Sequence, residues 1–208
     1  MKLFLTSSVH AVAHDIAKRV NLLKANKLVF IDTAAEPKGE REDLEWLKND
    51  RQALVDAGFR VSDYTITGKS KDQLETDLSG FDYIYMSGGN TAYLLEQSQK
   101  SGFILVIKDL IKNKGKIYIG TSAGSIIAGP RLPDYFSDEE AELENNNGYD
   151  FVNFTIVPHW GSEKFKERYL GERLKIVYKE DQVPLLLLTD NQYVHVEDGH
   201  MKIIDVRG

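Results

Sequence analysis

A three-layer α/β/α sandwich built on a mainly parallel sheet is what the sequence predicts, on three observations. Short apolar runs rich in Val, Ile, Tyr and Phe recur along the chain, each followed by a longer segment of helical period. Those runs are apolar on both sides of the pleat, as strands must be when helices cover both faces of a sheet. At the C-terminal end, QYVHVEDGHMKIIDV alternates around Asp198-Gly199 in the manner of a β-hairpin.

Taken in order, the strand-like runs are LFLTS at 3–7, KLVFID at 27–32, FRVSDYTI at 59–66, DYIYMSGG at 82–89 and KIYIGTSAG at 116–124. Between the second and third, Leu44, Leu47, Leu54 and Val55 are expected on one side of a helix, and later Phe165, Tyr169 and Ile176 on another. After Gly129 the pattern breaks into an acidic stretch, PDYFSDEEAELENNNGYD at 133–150, which reads as a solvated surface excursion without the ligand spacing of a calcium loop. It leaves one predicted site element and returns at another, so it could also act as a lid. FTIVPHW at 154–160 and PLLLLTDN at 184–191 then resume the strand pattern before the hairpin. No repeat, low-complexity tract or linker divides the chain, and a single domain over 1–208 is expected.

Composition narrows the chemistry. With 42% hydrophobic and 28% charged residues the chain has an ordinary globular balance, and its net charge of −6 argues against a basic surface that grips nucleic acid. The absence of cysteine removes disulfides, thiolate zinc sites and a thiol nucleophile together. The opening MKLFLTSSVHAVAHD has too short an apolar core for a signal peptide, since Thr6, Ser7 and Ser8 interrupt it, and no run approaches the roughly 20 apolar residues of a membrane span. A cytoplasmic protein without membrane partner, metal or cofactor is the expectation.

The residues Gly120-Thr121-Ser122-Ala123-Gly124 fit G-x-S-x-G, following an apolar strand and preceding the helix-compatible SIIAG. Such a nucleophile elbow forces the serine into a strained conformation that exposes its hydroxyl, and the flanking glycines let neighbouring chain approach closely. It also places the N–H of Ala123 at a helix start, where it can donate to a developing oxyanion. A second strand-to-helix loop, Ser87-Gly88-Gly89-Asn90-Thr91, offers backbone N–H groups at the same edge of a parallel sheet, with Asn90 or Thr91 available to cap the helix. The lysine of a phosphate-binding loop and the spacing of a dinucleotide fingerprint are both missing.

A serine nucleophile needs a base, and of His10, His14, His159, His195 and His200 the choice is His159, at the end of a strand in Val157-Pro158-His159-Trp160. Asp190 is the first choice for the acid that orients the imidazole. Asp134, Asp138 and Asp150 lie between Ser122 and His159 as alternatives, and Asn191 offers an amide oxygen.

With Gly-Gly-Asn-Thr at 88–91, Gly-x-Ser-Ala-Gly at 120–124 and Pro-His-Trp at 158–160 in this order, the whole chain resembles the serine peptidases typified by dipeptidase E (aspartyl dipeptidase) and cyanophycinase. The resemblance implies a class I glutamine-amidotransferase-like fold, Ser122 as nucleophile, His159 as base, an oxyanion hole from Gly89 and Ala123, and a small peptide substrate. Two departures stand out. Leu188-Thr189-Asp190-Asn191 replaces a Pro-Glu-Gly-Asn segment, giving the acid a shorter side chain. The arginine-rich segment thought to read an acidic substrate side chain is replaced by SEKFKERYLGERLK, in which Arg168 and Arg173 are the candidate substrate contacts alongside Asn90. An esterase or amidase with the same machinery and a catalytically silent small-molecule-binding domain are the competing readings, whereas a glutamine amidotransferase would need a cysteine.

Overall fold

The structure, a computed structural model, describes residues 1–136, 141–178 and 183–207. Its main sheet has seven strands in the order β3-β2-β4-β5-β1-β8-β9. β1 (Lys2–Thr6), β2 (Lys27–Ile31), β3 (Arg60–Tyr64), β4 (Tyr83–Met86) and β5 (Ile117–Thr121) run parallel, while β8 (Gln192–Glu197) and β9 (His200–Asp205) form the antiparallel hairpin beside β1.

Alternate residues of the central strands feed two separate cores, which is the physical content of runs apolar on both faces. Leu3, Leu5, Ile31, Ile84, Met86 and Tyr118 pack with α3 (Lys71–Leu78), α4 (Thr91–Lys100) and α5 (Phe103–Lys112). Phe4, Phe30, Tyr83, Tyr85 and Ile119 pack on the other face with α1 (Val9–Lys18) and α2 (Glu45–Asp56). Three layers result.

Four details depart from the sequence reading. In α2 the inward face is Leu47, Asp50 and Leu54, and Val55, about 100° further round, is exposed. The strand-like runs at 154–160 and 184–191 do not join the main sheet: β6 (Thr155–Val157) and β7 (Leu185–Leu187) pair with each other in a parallel sheet of two. Beyond β6 a short helix, α7 (Glu163–Glu167), passes through a π-helical turn at Arg168–Arg173 into α8 (Leu174–Val177). The π turn inserts one residue into the helical phase, so Val177 is buried and Ile176 is exposed.

The acidic stretch is also anchored more firmly than a solvated loop. Its stem is closed by hydrogen bonds from Leu132 N–H to the Asn146 carbonyl and from Gly148 N–H to the Pro130 carbonyl, and Tyr135, Phe136 and Tyr149 are buried in the first core. Asp138 lies outside the described residues.

Candidate active site

Ser122 follows β5 directly and caps α6 (Ala123–Ile126) with φ 48° and ψ −106°, a strained conformation for a residue with a side chain. The elbow is possible because of what surrounds it. A Cβ on Gly124 would lie 2.3 Å from the Met86 carbonyl oxygen, so only glycine lets α6 start this close to β4. Ser122 N–H is held by the Thr6 carbonyl at 3.1 Å, which fixes the serine to the strand on its other side.

The parallel pairing of β6 and β7 brings their ends together, and with them His159 and Asp190. Leu188 N–H donates to the Val157 carbonyl and Trp160 N–H to the Leu188 carbonyl, lacing the two exits to each other. His159 Nε2 is 3.1 Å from Ser122 Oγ, and His159 Nδ1 is 2.7 Å from Asp190 Oδ1. Asp190 is held below the ordinary carboxylate value chiefly by the hydrogen bond from His159, against the opposing effect of partial burial and with support from Ser7. An ionised Asp190 can only accept, so the ring proton belongs on Nδ1 and Nε2 is free to accept from Ser122.

Ser7 at the end of β1 is a site residue that the sequence reading passed over. Its Oγ donates to Asp190 Oδ1 at 2.7 Å and accepts from His159 N–H at 2.7 Å, so one buried hydroxyl ties two strand exits to the main sheet. Phe165 is a second: its ring stacks on the His159 imidazole at 4.4 Å with 17° between the planes. Trp46 borders the same loop as the serine: a Cβ built on Gly88 would lie 3.4 Å from Ser122 Cβ and 3.6 Å from Trp46 Cζ3. No sequence motif marks any of them. Ser7→Ala is expected to lower kcat/KM by about 10–100-fold, as a lost buried hydrogen bond of about 1–3 kcal/mol implies. Ser7→Thr should recover much of that loss, and an alanine variant with wild-type kcat/KM would deny Ser7 a positioning role.

Ala123 follows the serine in the chain, and Gly89 follows Gly88, whose Cα faces Ser122 Cβ. Neither backbone N–H donates to another group among the described residues. Gly89 has φ 137°, and a Cβ there would lie 2.0 Å from the Ala34 carbonyl oxygen. Gly89→Ala is therefore expected to destabilise the fold by about 2–4 kcal/mol, lowering Tm by roughly 5–15 °C in a thermal melt, with loss of hydrolysis as the loop is displaced. Asn90 N-caps α4, its Oδ1 accepting from Tyr93 N–H at 2.8 Å, which is the capping role read from the sequence.

The remaining candidates have other surroundings. Arg168 is exposed on the π turn, and Arg173 is 5% exposed with its guanidinium 4.8, 4.5 and 5.8 Å from the rings of Tyr135, Phe136 and Tyr169. Asp134 pairs with Arg131, and Asp150 borders a separate groove by the hairpin. The backbone carbonyl of Asn191 accepts from Val206 N–H. His10 pairs with the buried Asp50 at 3.1 Å, and that hydrogen bond is the main cause of its raised pKa. His14 and His200 are exposed, and His195 stacks on Phe4 at 4.7 Å. Among the described residues no three His, Asp or Glu side chains gather as a metal site requires, and no helix is long and apolar enough to cross a membrane.

Comparison with known proteins gives the chain a family and close structural relatives. The family profile described as peptidase family S51 matches residues 3–204. An uncharacterized peptidase of Listeria monocytogenes is 31% identical over 169 residues, covering 79% of this chain and 80% of that protein. Peptidase E of Escherichia coli is 27% identical over 125 residues, covering 56% of this chain and 52% of that protein. The crystal structure of a candidate peptidase E protein from Listeria monocytogenes EGD-e superposes with a TM-score of 0.84 at 26% identity, over 99% of this chain and 98% of that one.

Proposed function

The chain belongs to peptidase family S51, and from that premise we propose that it hydrolyses dipeptides or short peptides through an acyl-enzyme on Ser122. The observation that carries this reading is the unbroken run of hydrogen bonds from Ser122 Oγ through His159 to Asp190. Ser122 Oγ attacks the scissile carbonyl as His159 Nε2 takes its proton, and Asp190 stabilises the imidazolium that forms. The N–H groups of Gly89 and Ala123 receive the oxyanion, the second aided by its place at a helix start. Collapse of the tetrahedral intermediate expels the amine, which takes the proton from His159. Water then attacks the ester with His159 again as base, releasing the acid and restoring Ser122.

Arg173, packed among aromatic rings, serves the fold in this reading rather than the substrate. The deciding experiment is hydrolysis of a dipeptide panel and of p-nitrophenyl esters by the wild type and Ser122→Ala in parallel. Ser122-dependent cleavage of peptides supports the proposal. Cleavage of esters alone would replace it with an esterase, and no Ser122-dependent turnover of either would leave a binding domain.

A further inference from the structure

Resting on the peptidase reading, we propose that the cavity beside His159 is a substrate subsite for one large apolar side chain flanking the scissile bond. A cavity of about 210 Å³ opens next to the base, lined by His159, Trp160, Tyr169 and Leu170. Its size decides what it can take. Clefts that enclose a drug-sized ligand run to roughly 300–1,000 Å³, so this one has room for a single side chain.

The chemistry of the walls points the same way. The rings of Trp160 and Tyr169 are tilted by 48° with centroids 6.5 Å apart, and Phe165 stacks between His159 and Tyr169, at 4.4 and 6.3 Å. Leu170, at 54% exposed, presents an apolar side chain at the mouth. The charged residues at the rim, Glu163 and Lys166, pair with each other at 3.4 Å and leave no net charge there. Neither Arg168 nor Arg173 borders the cavity. A carboxylate entering it would lose water without gaining an uncommitted cation, whereas a Leu or Phe side chain would exchange water for aromatic surface. The substrate is thus a peptide with an apolar residue at the cleaved bond, in contrast to one read by its aspartate.

The cavity borders His159, the residue that protonates the leaving amine, and on that ground the residue after the scissile bond is assigned to it. The test is kcat/KM of the full chain on Ala-Ala, Ala-Leu, Leu-Ala, Asp-Ala and Ala-Asp, repeated with Leu170→Asp and Leu170→Ala. Ala-Leu is expected to exceed Ala-Ala and Ala-Asp by about 10–100-fold, the range that pocket methylenes supply. Leu170→Asp should bring the Ala-Leu to Ala-Ala ratio close to one, and Leu170→Ala should lower it part of the way. A gain for Leu-Ala in place of Ala-Leu, equally sensitive to Leu170, would keep the apolar subsite and assign it to the acyl residue. Preference for either aspartyl dipeptide, or a ratio indifferent to both substitutions while Ser122-dependent cleavage persists, overturns the subsite alone. If no dipeptide is cleaved in a Ser122-dependent way, the peptidase reading falls and takes the subsite with it.

Discussion

Ser122→Ala is expected to lower kcat on a cleaved dipeptide by about 10⁶-fold, the loss seen when a serine hydrolase is deprived of its nucleophile. Nothing nearby can substitute. The chain has no cysteine, the Ser7 hydroxyl is committed to Asp190, and the Ser125 hydroxyl lies 2.7 and 2.8 Å from the carbonyls of Thr6 and Gly120. The fold should survive, because alanine meets the same backbone strain at φ 48° that serine does. Ser122→Gly makes a useful companion: it should be as inactive as the alanine variant yet more stable than it by about 1–3 kcal/mol, since glycine alone tolerates that conformation cheaply. A fluorophosphonate should label the wild type once, at Ser122, and leave both variants unmodified in mass spectrometry. Residual activity within tenfold of wild type would remove Ser122 from the mechanism.

The parts of this site that could be read from the sequence are those fixed by local rules. The central strands show as apolar runs because both faces of the sheet are covered, so each residue type reports burial directly. The elbow shows because its glycines answer to contacts within one strand-turn-helix unit and its immediate neighbours. Asp190 could be picked out because it follows an apolar run, but its partnership with His159 depends on a pairing of two three-residue strands, β6 and β7, that have left the main sheet. Ser7 was illegible for a related reason: a serine ending a strand has no pattern of its own, and its role arises from meeting two chain exits 152 and 183 residues away. The burial of Tyr135 and Phe136 inside an acidic tract, and the one-residue phase shift at the π turn, are likewise set by packing against distant segments rather than by local periodicity.

Asp190→Asn carries the second large effect, a fall in kcat of up to about 10⁴-fold. Both Ser7 Oγ and His159 Nδ1 converge on the same Asp190 oxygen, Oδ1. An asparagine that turns its amide oxygen to that position keeps both hydrogen bonds and loses only the negative charge, whereas one that turns its nitrogen there forces the proton onto Nε2 and disables the base. The Ser7 hydroxyl, able to rotate and accept as well as donate, does not by itself prevent the second arrangement. Combining Asp190→Asn with Ser7→Ala distinguishes them: if Ser7 was holding the amide oxygen in place, the double variant should lose more than the single one, and if the ring was already in the wrong tautomer, Ser7→Ala should add little. The acid's own titration gives an independent check. Because Asp190 is held below its ordinary value of 3.8, its contribution to stability is present above that pH and is lost as pH falls through the lower folded value. Urea unfolding at neutral and strongly acid pH should therefore show the wild type losing stability below about pH 3.8 through a group that the asparagine variant lacks. Equal acid sensitivity in the two proteins would mean that Asp190 is not the carboxylate that His159 holds ionised.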